Sequence, residues 1–333
     1  MLKEGVSVIV CCYNSAPRIT ATLQHLAAQV TNNINCEIII VDNASTDNTQ
    51  QTVKGVWAKN AHPEIDLLIV NQPTPGLSFA REKGIAQARY NYMVFCDDDN
   101  WLAVNYVSTV FNLFNNHPKA AILGGFGTAV FEDESAKPNW FDTFHSSYAV
   151  SLQPGAEASV NSVYGAGMAL RKPVIAEILS RHQLFLNDRK ANNLLAGGDE
   201  EICLSAKLSG YEVLYSPTLK FKHYLPVNRL NWAYLKKLHI GFAKSYVVIN
   251  LYNTALNSTE VSLPRLYWLK KALYYSGIYL KYWPKHRKAY AIKEGTSEEL
   301  NHVTWKTIAQ SYFDTNFKTV DIYKKIVSLK PAS

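Results

Sequence analysis

Residues 92–101 read YMVFCDDDNW. The run 92–96 is short, apolar and rich in β-formers, which predicts a buried strand, and it stops abruptly at three carboxylates, Asp97, Asp98 and Asp99. In an open α/β sheet ligands gather just beyond the carboxyl ends of the strands, so acids at such an end can hold a divalent cation against a phosphorylated ligand. A solvated acidic turn is the other reading of the triplet taken alone. The surrounding chain decides between them.

Upstream, residues 6–13 (VSVIVCCY) form a continuous apolar run suited to a central strand covered on both faces. Asn14 and Ser15 end it, and Pro17 precedes a helical pattern carrying Ile19, Leu23 and Leu26. A second strand at 36–41 (CEIIIV) leads into Asp42, with Asp47 or a neighbouring hydroxyl placed to cap the next helix. A strand at 67–70, a turn at 72–76 and a helix over 77–87 follow. Strands alternating with helices about every thirty residues predict right-handed crossovers and a largely parallel sheet. The chain has no G-x-x-x-x-G-K-[ST] loop, and Gly165-Ala166-Gly167 and Gly125-Phe126-Gly127 lack the third glycine of a dinucleotide fingerprint. Neutralising a diphosphate would then fall to a metal and a few cationic side chains.

With 333 residues, 47% of them hydrophobic, the chain can bury a large core and is expected to hold one large domain and an appendage. Five cysteines without C-x-x-C pairs, mostly inside apolar runs, look like small core residues of a reduced compartment, and zinc is not expected. No secretory segment and no membrane-spanning run is visible, so a cytosolic protein is expected. The net charge of +7 is uneven: residues 229–333 carry 17 Lys and Arg against 6 Asp and Glu, and residues 1–228 carry 17 against 21. Such asymmetry points to partners rather than to fold.

Six segments in register, VSVIVCCYN, IIIVDNASTDNT, PGLSFAREKGI, YMVFCDDDN, GAGMALRK and GGDEEICLSAKLSGY, resemble a family 2 glycosyltransferase of the inverting GT-A type over residues 6–223. The resemblance implies a GT-A fold, a mixed, mostly parallel, Rossmann-like sheet flanked by helices. It also implies sugar transfer from a nucleoside-diphosphate sugar, UDP-linked first of all, and a Mg²⁺ or Mn²⁺ cofactor. On that pattern Cys11 and Tyr13 line the base pocket, Tyr13 by stacking, with Asn14 beside them, and Asp42 accepts a hydrogen bond from the base. Arg81 can pair with Asp98 and reach base or phosphate. Asp97 and Asp99 match D-x-D: the resemblance makes Asp99 the expected metal ligand, Asp98 the ribose contact, and Asp97 a further nucleotide-sugar-binding residue. Gly167, in the small-residue stretch 165–168, lies where backbone approaches the donor sugar. His223 is expected to reach back to metal or diphosphate.

Asp199, aligned on the following SGY, takes the place of the family's catalytic aspartate. Gly198 stands where a glutamate often precedes it, which leaves Glu200 or Glu201 as substitutes. Displacement with inversion needs one base taking the acceptor hydroxyl's proton. Trp140 and His145, in a loop within 120–160, are expected to pack rather than react. Residues 1–228 are thus read as the catalytic domain and 229–333 as a basic, aromatic-rich helical region with runs at 231–251 and 263–283. That region could lie on an anionic membrane surface, suiting a lipid-linked acceptor, or pack as a plain appendage; no nucleic acid is expected. The competing classes are a sugar nucleotidyltransferase, disfavoured because CCYNSAPR supplies no glycine- and arginine-rich phosphate loop, and a noncatalytic sugar-nucleotide-binding protein in which Asp199 is idle.

Overall fold

A computed structural model describes residues 3–331 apart from 32, 152–155, 187–195 and 290–293. Strand and helix alternate through β1 (Lys3–Cys12), α1 (Ile19–Ala27), β2 (Cys36–Asp42), α2 (Thr49–Asn60), β3 (Ile65–Asn71), α3 (Leu77–Gln87) and β4 (Tyr90–Asp97). Then come β5 (Asn100–Leu102), α4 (Tyr106–Asn116), β6 (Ala120–Phe131), α5 (Phe141–Phe144), β7 (Ala158–Ser159), β8 (Ala169–Arg171), α6 (Lys172–Arg181), α7 (Gly198–Leu208) and β9 (Glu212–Leu225). Four helices follow: α8 (Trp232–Leu256), α9 (Tyr267–Ala289), α10 (Ser297–Thr315) and α11 (Lys318–Val327).

The strands form one sheet in the order β3-β2-β1-β4-β8-β6-β9-β5, with β7 on β9. The first four are parallel, and their register sets Cys12 opposite Asp42 and Cys11 opposite Asp97, so the polar residues ending three apolar runs share one edge. β8 enters antiparallel to both β4 and β6, and β6 runs parallel to β9. The sheet is therefore mixed and mostly parallel, as expected.

β9 departs from expectation. Proline normally ends a strand, yet one strand runs from Glu212 to Leu225 across Pro217. Its pairing with β6 slips between Gly124 and Phe126, and proline is tolerated at such an irregularity because no ladder N–H is needed there. The far half of β9 can then pair with β5, setting Asn100 opposite His223. That register brings residue 223 to the acid triplet.

The apolar faces of the sheet are covered on one side mainly by α1, α2 and α4 and on the other by α3, α6 and α7. Val248, Leu251, Tyr252 and Ala255 of α8, with Tyr323 and Ile326 of α11, belong to the same core as α6 and α7. The C-terminal helices therefore pack into the sheet layer. Buried Glu299 of α10 fixes them further, accepting from Trp232 Nε1 at 2.6 Å and Lys236 Nζ at 2.9 Å. All five cysteines are free thiols, four of them buried.

Candidate active site

A cavity of about 530 Å³ opens where β1 and β4 end. Its floor is the acid triplet, and each carboxylate meets a different environment. Asp98 is buried and turned away from Arg81: Arg18 donates to it from Nε at 2.9 Å and Nη2 at 2.6 Å, and the Ser15 hydroxyl adds a third bond. Burial works against the Arg18 charge, but the bond to Asp98 more than offsets it and holds the guanidinium above its ordinary pKa. Thr22 completes the clamp by donating to the Asp98 carbonyl at 2.8 Å.

Asp99 faces the opposite way. Arg229 donates to its Oδ2 at 2.8 Å, and His223 Nε2 stands 3.5 Å from its Oδ1. Burial alone would raise this carboxyl, but His223, then Arg229 and Arg18, outweigh it and hold its pKa well below the usual range. His223 Nδ1 lies 2.8 Å from the Tyr148 carbonyl, which can only accept, so Nδ1 carries a proton and Nε2 is the ring nitrogen that faces Asp99. Asp97 is pushed up by burial and by the Asp99 charge, with Arg81 and His223 pulling back, and its carboxylate makes no hydrogen bond among the described residues. Asp97, Asp99 and His223 supply oxygen and nitrogen donors of the kind Mg²⁺ or Mn²⁺ takes, but among the described residues no group of three or more His, Cys, Asp and Glu is placed to hold a metal ion.

Asp199, which lines the same cavity, is the second residue of α7 and its side chain is 34% exposed, open enough for a substrate hydroxyl to reach it. Arg81, expected beside Asp98, instead donates to Asp199 Oδ1 at 2.5 Å, its guanidinium lying 4.7 Å from the centre of the Phe95 ring. The reason is spatial: Arg18 already fills the Asp98 side. A β-carbon at Gly165 would collide with the Asp199 carboxylate, so this position must be glycine for the acid to sit there. Glu200 also lines the cavity, and burial raises its pKa. Glu201 is removed from the chemistry: it is buried, accepting from the backbone N–H groups of Phe185 and Leu186 at 2.7 Å and from the Tyr252 hydroxyl at 3.1 Å.

Cys11, Tyr13, Arg81, Asp97, Asp98, Asp99, Asp199 and His223 thus line one cavity, with the Tyr13 ring half-exposed at its mouth. Three expected residues stand behind it. Asp42 is buried and accepts from Ser45 N–H at 3.2 Å and Gln50 Nε2 at 2.5 Å. Asn14 turns its Oδ1 to the Thr46 N–H at 2.8 Å. Gly167, at φ +70°, gives its carbonyl to the Tyr106 hydroxyl at 2.5 Å. Trp140 and His145 do not line the cavity, and Trp140 packs edge-on against Trp232.

The sequence reading missed Arg18 and Arg229, and also Tyr234, Leu238 and Phe242, which form an apolar wall at i, i+4 and i+8 of α8. A basic residue just after the His223 strand was the available signal for Arg229. The α8 wall gave none, because that helix buries side chains all round.

Residues 7–179 match the family described as Glycosyl transferase family 2, more than half of the chain, and the chain belongs to that family. Among curated relatives it is 24% identical over 237 residues to succinoglycan biosynthesis protein ExoM of Rhizobium meliloti, covering 70% of this chain and 71% of that protein. Identity to the glucosyl-dolichyl phosphate glucuronosyltransferase of Haloferax volcanii is 22% over 249 residues, 72% of this chain and 76% of the relative. With glycosyltransferase GlyA of Streptococcus pneumoniae it shares 28% over 128 residues, 38% of this chain but 17% of the relative's length.

Two solved structures share the fold. They are the mannosyltransferase PcManGT from Pyrobaculum calidifontis in complex with GDP-Man and Mn²⁺, and S. aureus TarS 1-349 in complex with UDP-GlcNAc. The first has TM-score 0.53 and 19% identity, over 78% of this chain and 66% of that one; the second 0.53 and 14%, over 98% and 91%. The fold is that of the GT-A glycosyltransferases.

Proposed function

We propose that the protein is an inverting, divalent-cation-dependent glycosyltransferase. It would move a sugar from a nucleoside-diphosphate sugar, a UDP-sugar first, to a hydroxyl of a saccharide or lipid-linked acceptor in surface polysaccharide or glycoconjugate synthesis. One observation carries the reading: the acid cluster after β4 and the carboxylate of Asp199 line a single cavity. Its volume of about 530 Å³ suits a ligand of nucleotide-sugar size. The ligands named for relatives agree in class, being succinoglycan synthesis, a dolichyl-phosphate acceptor, GDP-Man with Mn²⁺ and UDP-GlcNAc.

Tyr13 would stack on the base at the mouth of the cleft. Asp99 and His223, with Asp97 beside them, would hold Mg²⁺ or Mn²⁺, which when bound carries the charge of the departing diphosphate. Arg229 adds a guanidinium at the same end. Asp199 is the base: Arg81 fixes its Oδ1, so the acceptor's proton goes to Oδ2 as the new bond forms. Residues 1–228 carry the chemistry, and 229–333 close the acceptor side through Tyr234, Leu238 and Phe242.

The test is thermal stabilisation by UDP-, GDP- and dTDP-sugars with Mn²⁺, Mg²⁺ or chelator. A donor at a hundred times its Kd stabilises by about 2.7 kcal/mol, a shift of several degrees. The shift should need the cation and disappear in Asp99→Asn. Stabilisation that is indifferent to chelator, or none by any of these donors, refutes the assignment.

A further inference from the structure

Much of the C-terminal charge lies on one helix that does not line the cleft. Residues 265–288 contain seven Lys and Arg and no Asp or Glu, and α9 spans nearly all of them. One side of this helix is packed: Ala272 is buried, Tyr275 donates to the Tyr246 hydroxyl of α8 at 2.7 Å and stacks on Tyr312 of α10, and Tyr279 lies against His302. Its other side should be polar in an ordinary surface helix. It is not: Leu273, Tyr274 and Leu280 are 58%, 60% and 66% exposed, in line with exposed Leu266 and Trp283. Leu266, Leu273 and Leu280 recur every seven residues, two turns apart, and so share a stripe. Lys270, Lys281, Lys285 and Lys288 are exposed along the same helix.

We propose that this face of α9 is a docking surface for an anionic lipid bilayer, lying in the plane of the interface with the leucines in the acyl boundary and the lysines on headgroup phosphates. No described helix is long and apolar enough to cross a membrane, which leaves the in-plane mode. Charge complementarity selects the occupant. A second copy presenting the same face would set cations against cations, with no acid on the helix to relieve them. A soluble polyanion would engage the lysines but leave the leucine stripe in water. An anionic bilayer satisfies both. Because α9 is bonded to α8, whose Tyr234, Leu238 and Phe242 wall the cleft, the lipid surface and the acceptor side belong to one packed helical unit.

The full chain should co-sediment at low salt with vesicles of phosphatidylcholine and phosphatidylglycerol, weakly with phosphatidylcholine alone, and be released by high salt. Lys281→Gln with Lys285→Gln should weaken binding roughly thirty-fold, and Leu273→Glu with Leu280→Glu by more than about ten-fold. Both variants should keep the wild-type melting temperature and its shift by sugar nucleotide, readouts independent of lipid. Three outcomes overturn the proposal. One is no binding of wild type to anionic vesicles at low salt. Another is loss of binding with the lysine pair but not with the leucine pair, which would mark a polyanion surface. The third is a wild-type dimer that the leucine pair dissociates, which would mark a self-interface.

Discussion

The floor of the cleft and its far wall are built by opposite means. The floor is where two adjacent parallel strands stop, so its acids are neighbours in sequence and their partners reach them from elsewhere: Arg18 to Asp98, and Arg229 with His223 to Asp99. The wall is assembled from the start of α7, the segment 146–149 and α8, and its acid, Asp199, is held by an arginine from α3. A carboxylate's role in this protein follows from the cation it faces rather than from its place in a motif. Asp98 sits in the middle of the triplet and is locked to α1. Asp97, Asp99 and Asp199 keep an aspect on the cavity.

The sharpest way to break that contrast is Asp199→Asn. The amide preserves shape but accepts no proton at the moment of transfer, so turnover should fall by about 10² to 10⁴ while cation-dependent stabilisation by donor is retained. Steady-state transfer and thermal shift on the same preparation check it. A rate within a few-fold of wild type would hand the base to Glu200. On the floor, Arg18→Met should act on stability: it leaves Asp98 buried without its counter-ion, a loss of about 3 kcal/mol in denaturant unfolding. Adding Asp98→Asn should recover part of it. A fully stable Arg18→Met would mean that the pair is incidental and Asp98 is free to serve the ligand.

What could be read from the sequence follows the same division. The floor was legible because each acid directly follows an apolar run, and the strand–helix period fixes that such ends share an edge. The partners of those acids were not. Arg18 and Asp98 are 80 residues apart, and no periodicity reports a contact between a helix start and a strand end. Arg81 was expected at Asp98 and lies at Asp199 because Arg18 already fills the Asp98 side, a tertiary fact with no local trace. Asp42 reads as a ligand contact and in the structure accepts from Ser45 of its own turn and from Gln50 at the start of α2. The continuation of β9 through Pro217, which delivers His223, was hidden by a residue that normally ends a strand.

A smaller effect sharpens the wall. Phe242 is 42% exposed at the mouth of the cavity, so Phe242→Ser should raise the acceptor KM roughly five-fold, about 1 kcal/mol of lost apolar contact, with kcat and donor KM unchanged. A change confined to donor KM would move this residue to the floor's side of the cleft.

The smallest effect concerns Glu200, which makes no ion pair among the described residues. Burial raises the Glu200 pKa, so its proton is held more tightly in the folded than in the unfolded chain. Its favourable share of stability is therefore complete below the unfolded value and is lost as pH rises through the folded one. Glu200→Gln carries no such charge at any pH. It should be more stable than wild type near neutrality, on the order of 0.5 kcal/mol, and the difference should vanish below about pH 4. Paired denaturant melts across that window measure it. If wild type were instead the more stable at neutral pH, Glu200 would be held by a cation as Asp199 is, and the wall would carry two charge-paired acids like the floor.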